Sequence, residues 1–301
     1  MKIIITGSLG NISKPLVKEL VQKGHELTVV SSKTERISEI EALRAKAAIG
    51  TMEDADFLAG AFTGADIVYL METSGGPHTF FDPNLDIMAA ITRIGKNYKQ
   101  AIEKSGVKRV VHLSSIGAHT NKDNGLLAFH YEVEQILNQL QADVSIKFMR
   151  PVGFYYNMFS FIPTIKSQGA IIQNYGGDEK KPWVAPKDIA AVIAEEIEKP
   201  FAGRTIRYIA SDEVSCNELA KILGEAIGKP DLKWVAIPDE QFLGGLLKAG
   251  MNAKIARAFV EMQAGMRGNV LYQDYDRNKP TLCNTKLTEF VKEFASVYHK
   301  S

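Results

Sequence analysis

"ITGSLGNISK" (residues 5–14) decides the fold. Ile3, Ile4 and Ile5 lead into it as a buried strand over 2–6, and Gly7 and Gly10 then break that strand. Residues 11–23 follow with Ile12, Leu16, Val17, Leu20 and Val21 on one helical face. Pro15 fits there, because proline is tolerated in a helix's first turn. In such a strand-loop-helix unit the first glycine allows a tight turn. The second lets the backbone approach a pyrophosphate, and the third packs the helix close to the strand. Gly7 and Gly10 fill the first two places. Ser13 stands in the third, where a small side chain still permits close packing. The loop residues Gly7, Ser8 and Leu9 shape the turn. Gly10, Asn11 and Ile12 are expected to offer backbone N–H groups to an anion at the helix N-terminus. The segment reads as a dinucleotide-binding loop. A merely structural glycine turn is the competing reading.

The rest of the first half repeats this alternation. Strands are expected at 26–31, 47–50, 65–70, 108–115 and 144–151. Amphipathic helices are expected at 34–45, 54–62, 84–105 and 126–140, with Asp54 as the cap of its helix. Continuous apolar strands between helices predict an α/β fold with a doubly wound parallel Rossmann sheet, covered on both faces. A smaller, mostly helical C-terminal lobe is expected beside it. The division reads as 1–152 for the Rossmann domain, completed by 183–212, with 153–182 and 213–301 forming the lobe.

Composition narrows the function classes. The 301 residues are 45% hydrophobic and 24% charged, as in ordinary globular proteins with a full core. A net charge of +1 gives no electrostatic claim on nucleic acid or on an acidic membrane surface. No apolar run approaches the ~18 residues of a membrane helix. Cys216 and Cys283 show neither a disulfide framework nor metal-type spacing, so a reducing cytoplasm and no bound metal are expected. The partners expected are small molecules, with the chain a monomer or homodimer.

The end of the second strand indicates which dinucleotide. An NAD-specific site places an Asp or Glu there for the ribose hydroxyls. This chain has Ser31 and Ser32, then Lys33 and Arg36. Hydroxyl donors and cations attract a 2′-phosphate that a carboxylate would repel. NADP(H) is therefore favoured, with NAD(H) still possible. The same serines can also cap the following helix.

The runs "ITGSLGNIS", "GADIVYLMETS", "VKRVVHLSSIGA", "FHYEVEQIL" and "FMRPVGFYYN" resemble the NmrA-like group of atypical short-chain dehydrogenases/reductases. "WVAPKDIAAVIAEEI", "SCNELAKILGEAIGK" and "TKLTEFVKEFASVY" continue the likeness through nearly the whole chain. It is greatest to the NADPH-dependent quinone-oxidoreductase branch. The resemblance implies NADP(H) in a cleft between a Rossmann domain and a lobe. It does not imply one reaction, since the group includes reductases and NADP-sensing regulators. By the same resemblance Met71, Glu72 and Thr73 lie along the cofactor's ribose and nicotinamide, and Thr51 takes an adenine-side role. Pro151, at the end of the sixth strand, completes the expected cofactor set.

Ordinary short-chain dehydrogenases resemble one another in a Tyr-x-x-x-Lys pair on the helix after the fifth strand. Here Tyr131 is followed four residues later by Gln135, and the literal pair Tyr275–Lys279 reads as coincidence. A tyrosinate-based alcohol dehydrogenase is thus disfavoured. Ser114 and Ser115 end the fifth strand, where they can meet cofactor or substrate or cap the next turn. His130 and Glu134, at i and i+4, serve either as an ion-pairing or capping pair or on the nicotinamide side. The catalytic candidates are Ser115, His130 and Tyr131. Phe80, Phe81, Phe154, Tyr155 and Tyr156 are expected to line an aromatic wall suited to flat acceptors such as quinones. Two functions follow: an NADPH-dependent reductase of a quinone-like or conjugated carbonyl, or an NADP(H)-sensing regulator without turnover.

Overall fold

The N-terminal isoleucines divide between two cores. In the computed structural model, which describes residues 1–73 and 75–301, β1 (Lys2–Ile5) sends Ile3 and Ile5 into one buried cluster and Ile4 into another. A strand covered on both faces needs apolar side chains at successive positions, so no polar alternation appears. The same holds for the strand over Ile67–Leu70, where Ile67 and Tyr69 face one cluster and Val68 and Leu70 the other.

The strands following β1 are β2 (Glu26–Ser31), β3 (Lys46–Ile49), β4 (Ile67–Leu70), β5 (Arg109–Leu113) and β6 (Ser145–Pro151). Three short ones come next: β7 (Gly153–Phe154), β8 (Ala170–Gln173) and β9 (Lys180–Val184). The last are β10 (Arg204–Ile209), β11 (Asp212–Ser215) and β12 (Lys233–Ala236). Seven of them form one parallel sheet in the order β10-β6-β5-β4-β1-β2-β3. The chain runs outward from β1 to β3, then crosses back to β4 on the other side of β1. That reversal opens a crevice beyond the carboxyl ends of β1 and β4, where open α/β sheets bind ligands.

Helices α1 (Ser13–Gln22) and α2 (Ile37–Ala42) cover one face, through Leu16, Val17, Leu20 and Ile40. On the other face lie α3 (Ala55–Phe62), α4 (Ile87–Ser105) and α5 (Ala128–Asn138). Asp54 caps α3 as expected, accepting from the N–H groups of Asp56 and Phe57. The helix expected at 34–45 is shorter, because a 3-10 turn over Thr34–Arg36 precedes α2. The one expected from 84 begins at Ile87, where Asp86 accepts from the Ala89 N–H and sets the start.

Past β6 the chain builds the lobe. There α6 (Ile162–Gln168) is followed by α7 (Pro186–Glu198), which returns to pack beside α1. The lobe's own core holds Trp183, Leu219, Leu223, Trp234 and Phe294, under α8 (Cys216–Ala226) and the last helix of the chain. Between them come α9 (Asp239–Lys248), α10 (Ala253–Arg267) and α11 (Gln273–Arg277), and α12 spans Leu287–Lys300. The lobe also carries a β11-β9-β7 sheet and a β12-β8 pair. It touches the Rossmann layer closely at Gly125. A Cβ there would stand 2.1 Å from the Ala258 carbonyl oxygen of α10, so only glycine fits.

One buried hydroxyl ties three strand ends together. Tyr98, on α4, donates to the Met71 carbonyl at 2.6 Å and lies 3.1 Å from Thr6 Oγ1. Thr6 Oγ1 in turn accepts from the Met71 N–H. Tyr98 also meets Met52 Sδ beyond β3. Removing that hydroxyl takes away the shorter of the two donors to the partly buried Met71 carbonyl, leaving Thr6 Oγ1 at 3.5 Å. Tyr98→Phe is expected to cost about 1–2 kcal/mol, read as a lower urea midpoint at unchanged slope.

Candidate functional site

The turn after β1 is built on two positive-φ residues, Gly7 (φ +84) and Ser8 (φ 59). The Ser8 N–H donates to the Val30 carbonyl and its hydroxyl to Ser31 Oγ at 3.0 Å, pinning the loop to β2. Leu9 and Ile12 anchor it in the core. Gly7 has a second constraint, since a Cβ there would fall 2.2 Å from Met71 Sδ. Gly10 differs. It is exposed, and a Cβ would meet only the Gly7 carbonyl oxygen, at 3.8 Å. Ser13, buried, opens α1, whose first turn has no side-chain cap. Among the described residues the N–H groups of Gly10, Asn11 and Ile12 have no hydrogen-bond acceptor. Unpaired donors at a helix N-terminus with open space before them form a seat for a phosphate group.

Beside this seat the two serines part company. Ser31 is buried, and its hydroxyl accepts from Ser8 and from the Lys33 N–H. Ser32 and Lys33 are exposed. Arg36 pairs with Glu39, which also accepts from Lys14 Nζ at 2.7 Å. This bridge was not legible in the sequence, because Lys14 and Glu39 each look like an ordinary charge on a helix surface. Thr51 is exposed beyond β3, its hydroxyl accepting from the Glu53 N–H.

At the end of β4, Glu72 does something its position in sequence does not show. Its carboxylate turns inward to His112 Nε2, both oxygens at 3.1 Å, with side chains 1% and 0% exposed. Burial works against charge on His112, but the attraction and hydrogen bond of Glu72 outweigh it and raise the pKa. Glu72 is thereby committed, and only its backbone is left to face a ligand. Thr73, exposed, accepts from the Gly75 N–H.

At the end of β5, Ser114 donates its buried hydroxyl to Glu134, which is fully engaged with Arg150. Glu134 is an ion-pairing residue, one of the two readings open for it. Ser115 is partly exposed at the crevice, and Pro151 is buried with its carbonyl accepting from the Ile116 N–H. Tyr131 is partly exposed on α5. His130 lies against Phe129, ring centroids 4.1 Å apart, and its buried Nδ1 has no partner among the described residues. Burial first, and the charge of His112 second, push the His130 pKa down to about 3.

The aromatic residues form separate groups. Phe80 packs at the sheet's α4–α5 face with Phe129 and Phe259 of α10, while Phe81 is 49% exposed. Phe154 packs against the opposite core. Tyr155 is fully buried, donates to the Thr285 carbonyl at 3.1 Å and stacks on Phe290. Tyr156 leans on Phe159 and Phe290. Spacing alone could not separate these sets, since the lobe's helices supply the partners. Tyr275 and Lys279 both bond Glu213, within the lobe.

A crevice at the strand reversal, unpaired donors at α1 and an open glycine edge describe a nucleotide-binding α/β protein. Residues 7–200 match the NAD(P)H-binding family, and the chain belongs to it. It is 23% identical over 263 residues to an NAD(P)H azoreductase of Xenophilus azovorans, covering 87% of this chain and 86% of that one. An NADPH-dependent quinone oxidoreductase of Escherichia coli, solved with NADPH, superposes with a TM-score of 0.81 at 20% identity over 97% of this chain and 99% of that one. A triphenylmethane reductase of Citrobacter sp., solved with NADP(H), gives 0.74 at 19% identity over 97% and 99%. Among the described residues no helix is long and apolar enough to cross a membrane.

Two outcomes test this geometry. Gly10→Val has room to fold, yet its side chain fills the phosphate seat. Calorimetric titration is expected to show loss of NADPH binding at an unchanged melting temperature; a change under about threefold would refute the seat. His130 is expected to stay neutral across pH 5–7, with ring resonances showing no inflection near 6.5. Because its folded pKa is depressed, its contribution to stability is present above pH 6.5 and is lost as pH falls toward about 3.

Proposed function

We propose that this chain is an NADPH-dependent reductase that passes hydride to a small, flat acceptor of the quinone or conjugated carbonyl class. The observation that carries the reading is the open Gly10 edge before the unpaired N–H groups of α1, with Ser32 and Lys33 exposed where an NAD site holds a carboxylate. Ser8, Leu9, Asn11 and Ile12 hold that edge. Lys33 and Arg36 face the 2′-phosphate, and Thr51 the adenine. The backbone of Met71, Glu72 and Thr73, with Ser114 and Pro151 as the crevice floor, orients the nicotinamide.

Bound NADPH supplies the hydride. The protein's work is to position the acceptor and polarise it. His130 is neutral and its Nδ1 is buried and unpaired; in this reading the ring carries its hydrogen on Nε2 and donates a hydrogen bond from there to the acceptor oxygen. Ser115 supports the same atom. Tyr131 or water delivers the proton, as no lysine stands beside Tyr131 to make it a tyrosinate base. Phe129, whose ring lies 4.1 Å from that of His130, provides an apolar edge there for a flat ring. The names of the related proteins (azoreductase, quinone oxidoreductase, triphenylmethane reductase) all describe reduction of conjugated acceptors.

The absent Tyr-x-x-x-Lys pair equally suits an NADP(H)-sensing protein. Steady-state oxidation of NADPH against a panel of quinones, azo dyes and enones separates the two. Turnover with at least one acceptor, reduced tenfold or more in His130→Ala with NADPH binding kept, is the expected result. Tight NADPH binding with no turnover on any acceptor would establish the sensing role instead.

A further inference from the structure

We propose that Glu39 is a built-in competitor for the 2′-phosphate of NADP(H), and that Lys14 is a phosphate ligand which Glu39 holds in reserve. The proposal rests on the NADP(H) reading above and adds what sets the strength of that preference.

Lys14 stands in the first turn of α1, one residue beyond Ser13 and next to the phosphate seat. Arg36 ends the 3-10 turn after β2. These two cations come from different elements and have no sequence relation, yet one carboxylate joins them. Glu39 Oε1 takes Lys14 Nζ at 2.7 Å and its other oxygen takes Arg36. The hydrogen bond from Lys14, then that from Arg36, lowers the Glu39 pKa, so the group is ionised at neutral pH. All three side chains line one cavity of about 570 Å³ that also includes Gly10 and Asn11. The bridge therefore lies on the wall of the space that reaches the dinucleotide loop.

Each partner is between one third and just under one half exposed, Lys14 at 43%, Arg36 at 40% and Glu39 at 34%. Exposed pairs of this kind are weak and screened by salt. A phosphate monoester carries more charge than a carboxylate and accepts from an Arg fork and an ammonium together. It can displace Glu39 from both cations. The cost of displacement is levied only on a ligand that carries the 2′-phosphate. NADH, which lacks it, leaves the bridge intact. Glu39 thus weakens NADPH without touching NADH, and keeps two surface cations neutralised while the site is empty.

The test is the dissociation constant of NADPH and of NADH, measured by calorimetry at one low ionic strength, in the parent, Glu39→Gln and Lys14→Gln. Glu39→Gln is expected to tighten NADPH by roughly three- to tenfold with NADH unchanged, and Lys14→Gln to weaken NADPH by a similar factor. The NADPH gain in Glu39→Gln is expected to shrink at high salt. An equal change for both dinucleotides, or none, overturns the proposal. The parent's own preference reports separately on the NADP(H) reading. A parent that binds the two equally overturns that reading, while the ratio change in Glu39→Gln still decides for or against the competitor. Unchanged thermal midpoints confirm that both variants are folded.

Discussion

A guanidinium sealed inside the protein holds the two halves of the site together. Arg150, on β6, is 3% exposed. It gives Nε and Nη2 to the two oxygens of Glu134 on α5, Nη1 to Tyr208 of β10 and Asp274 of α11, and Nη2 also to the Ala118 carbonyl. Burial works against the charge on Arg150, but the hydrogen bond and charge of Glu134 outweigh it and hold the pKa above the usual value. A buried pair adds little net stability over an apolar one of the same shape, yet breaking it is costly. Its consequence here is placement. One fork sets α5 against the sheet, and therefore His130 and Tyr131. The same fork reaches α11, and therefore the lobe.

The neighbouring pair works on the same principle with a different result. Glu72 and His112 pair beneath the crevice, and Glu72 raises the His112 pKa against the effect of burial. His112 then holds the start of the loop after β4 through Glu72, and any charge on His112 works against a second charge on His130. The buried carboxylates of Glu72 and Glu134 near the site are thus already committed, to His112 and to Arg150. Open donors stand at the edge: the first N–H groups of α1, and Ser32 and Lys33 beyond β2. Rigid pairs behind and open donors in front are what a pre-organised dinucleotide seat requires.

The strands β1, β2 and β6, the glycine turn and the Asp54 cap were all legible in the sequence. Each rests on local chemistry: apolar runs too continuous for a half-exposed strand, two glycines at a fixed spacing, a carboxylate before a helix. So was the absence of an acid after β2, which is a statement about residue type alone. His112, Lys147 and Arg150 are polar residues inside otherwise apolar strands, and burial there requires that each has a partner. They could not say which partner.

Partners are chosen in space. Glu134 lies 16 residues before Arg150 and Asp274 lies 124 after it, and both meet the same guanidinium. Spacing placed His130 and Glu134 on one helical face, but only packing decided that Glu134 goes to Arg150 and leaves His130 with an unpaired nitrogen. Five aromatics from two loops of the chain, expected to form one wall, became separate clusters, since Phe80 packs toward α10 while Tyr155 and Tyr156 pack under α12. Local sequence determined the elements and the dinucleotide loop, because backbone propensity and glycine geometry act over a few residues. The tertiary structure alone decided which charges are spent and which remain for a ligand, because electrostatics and packing depend on distance in space and not on separation along the chain.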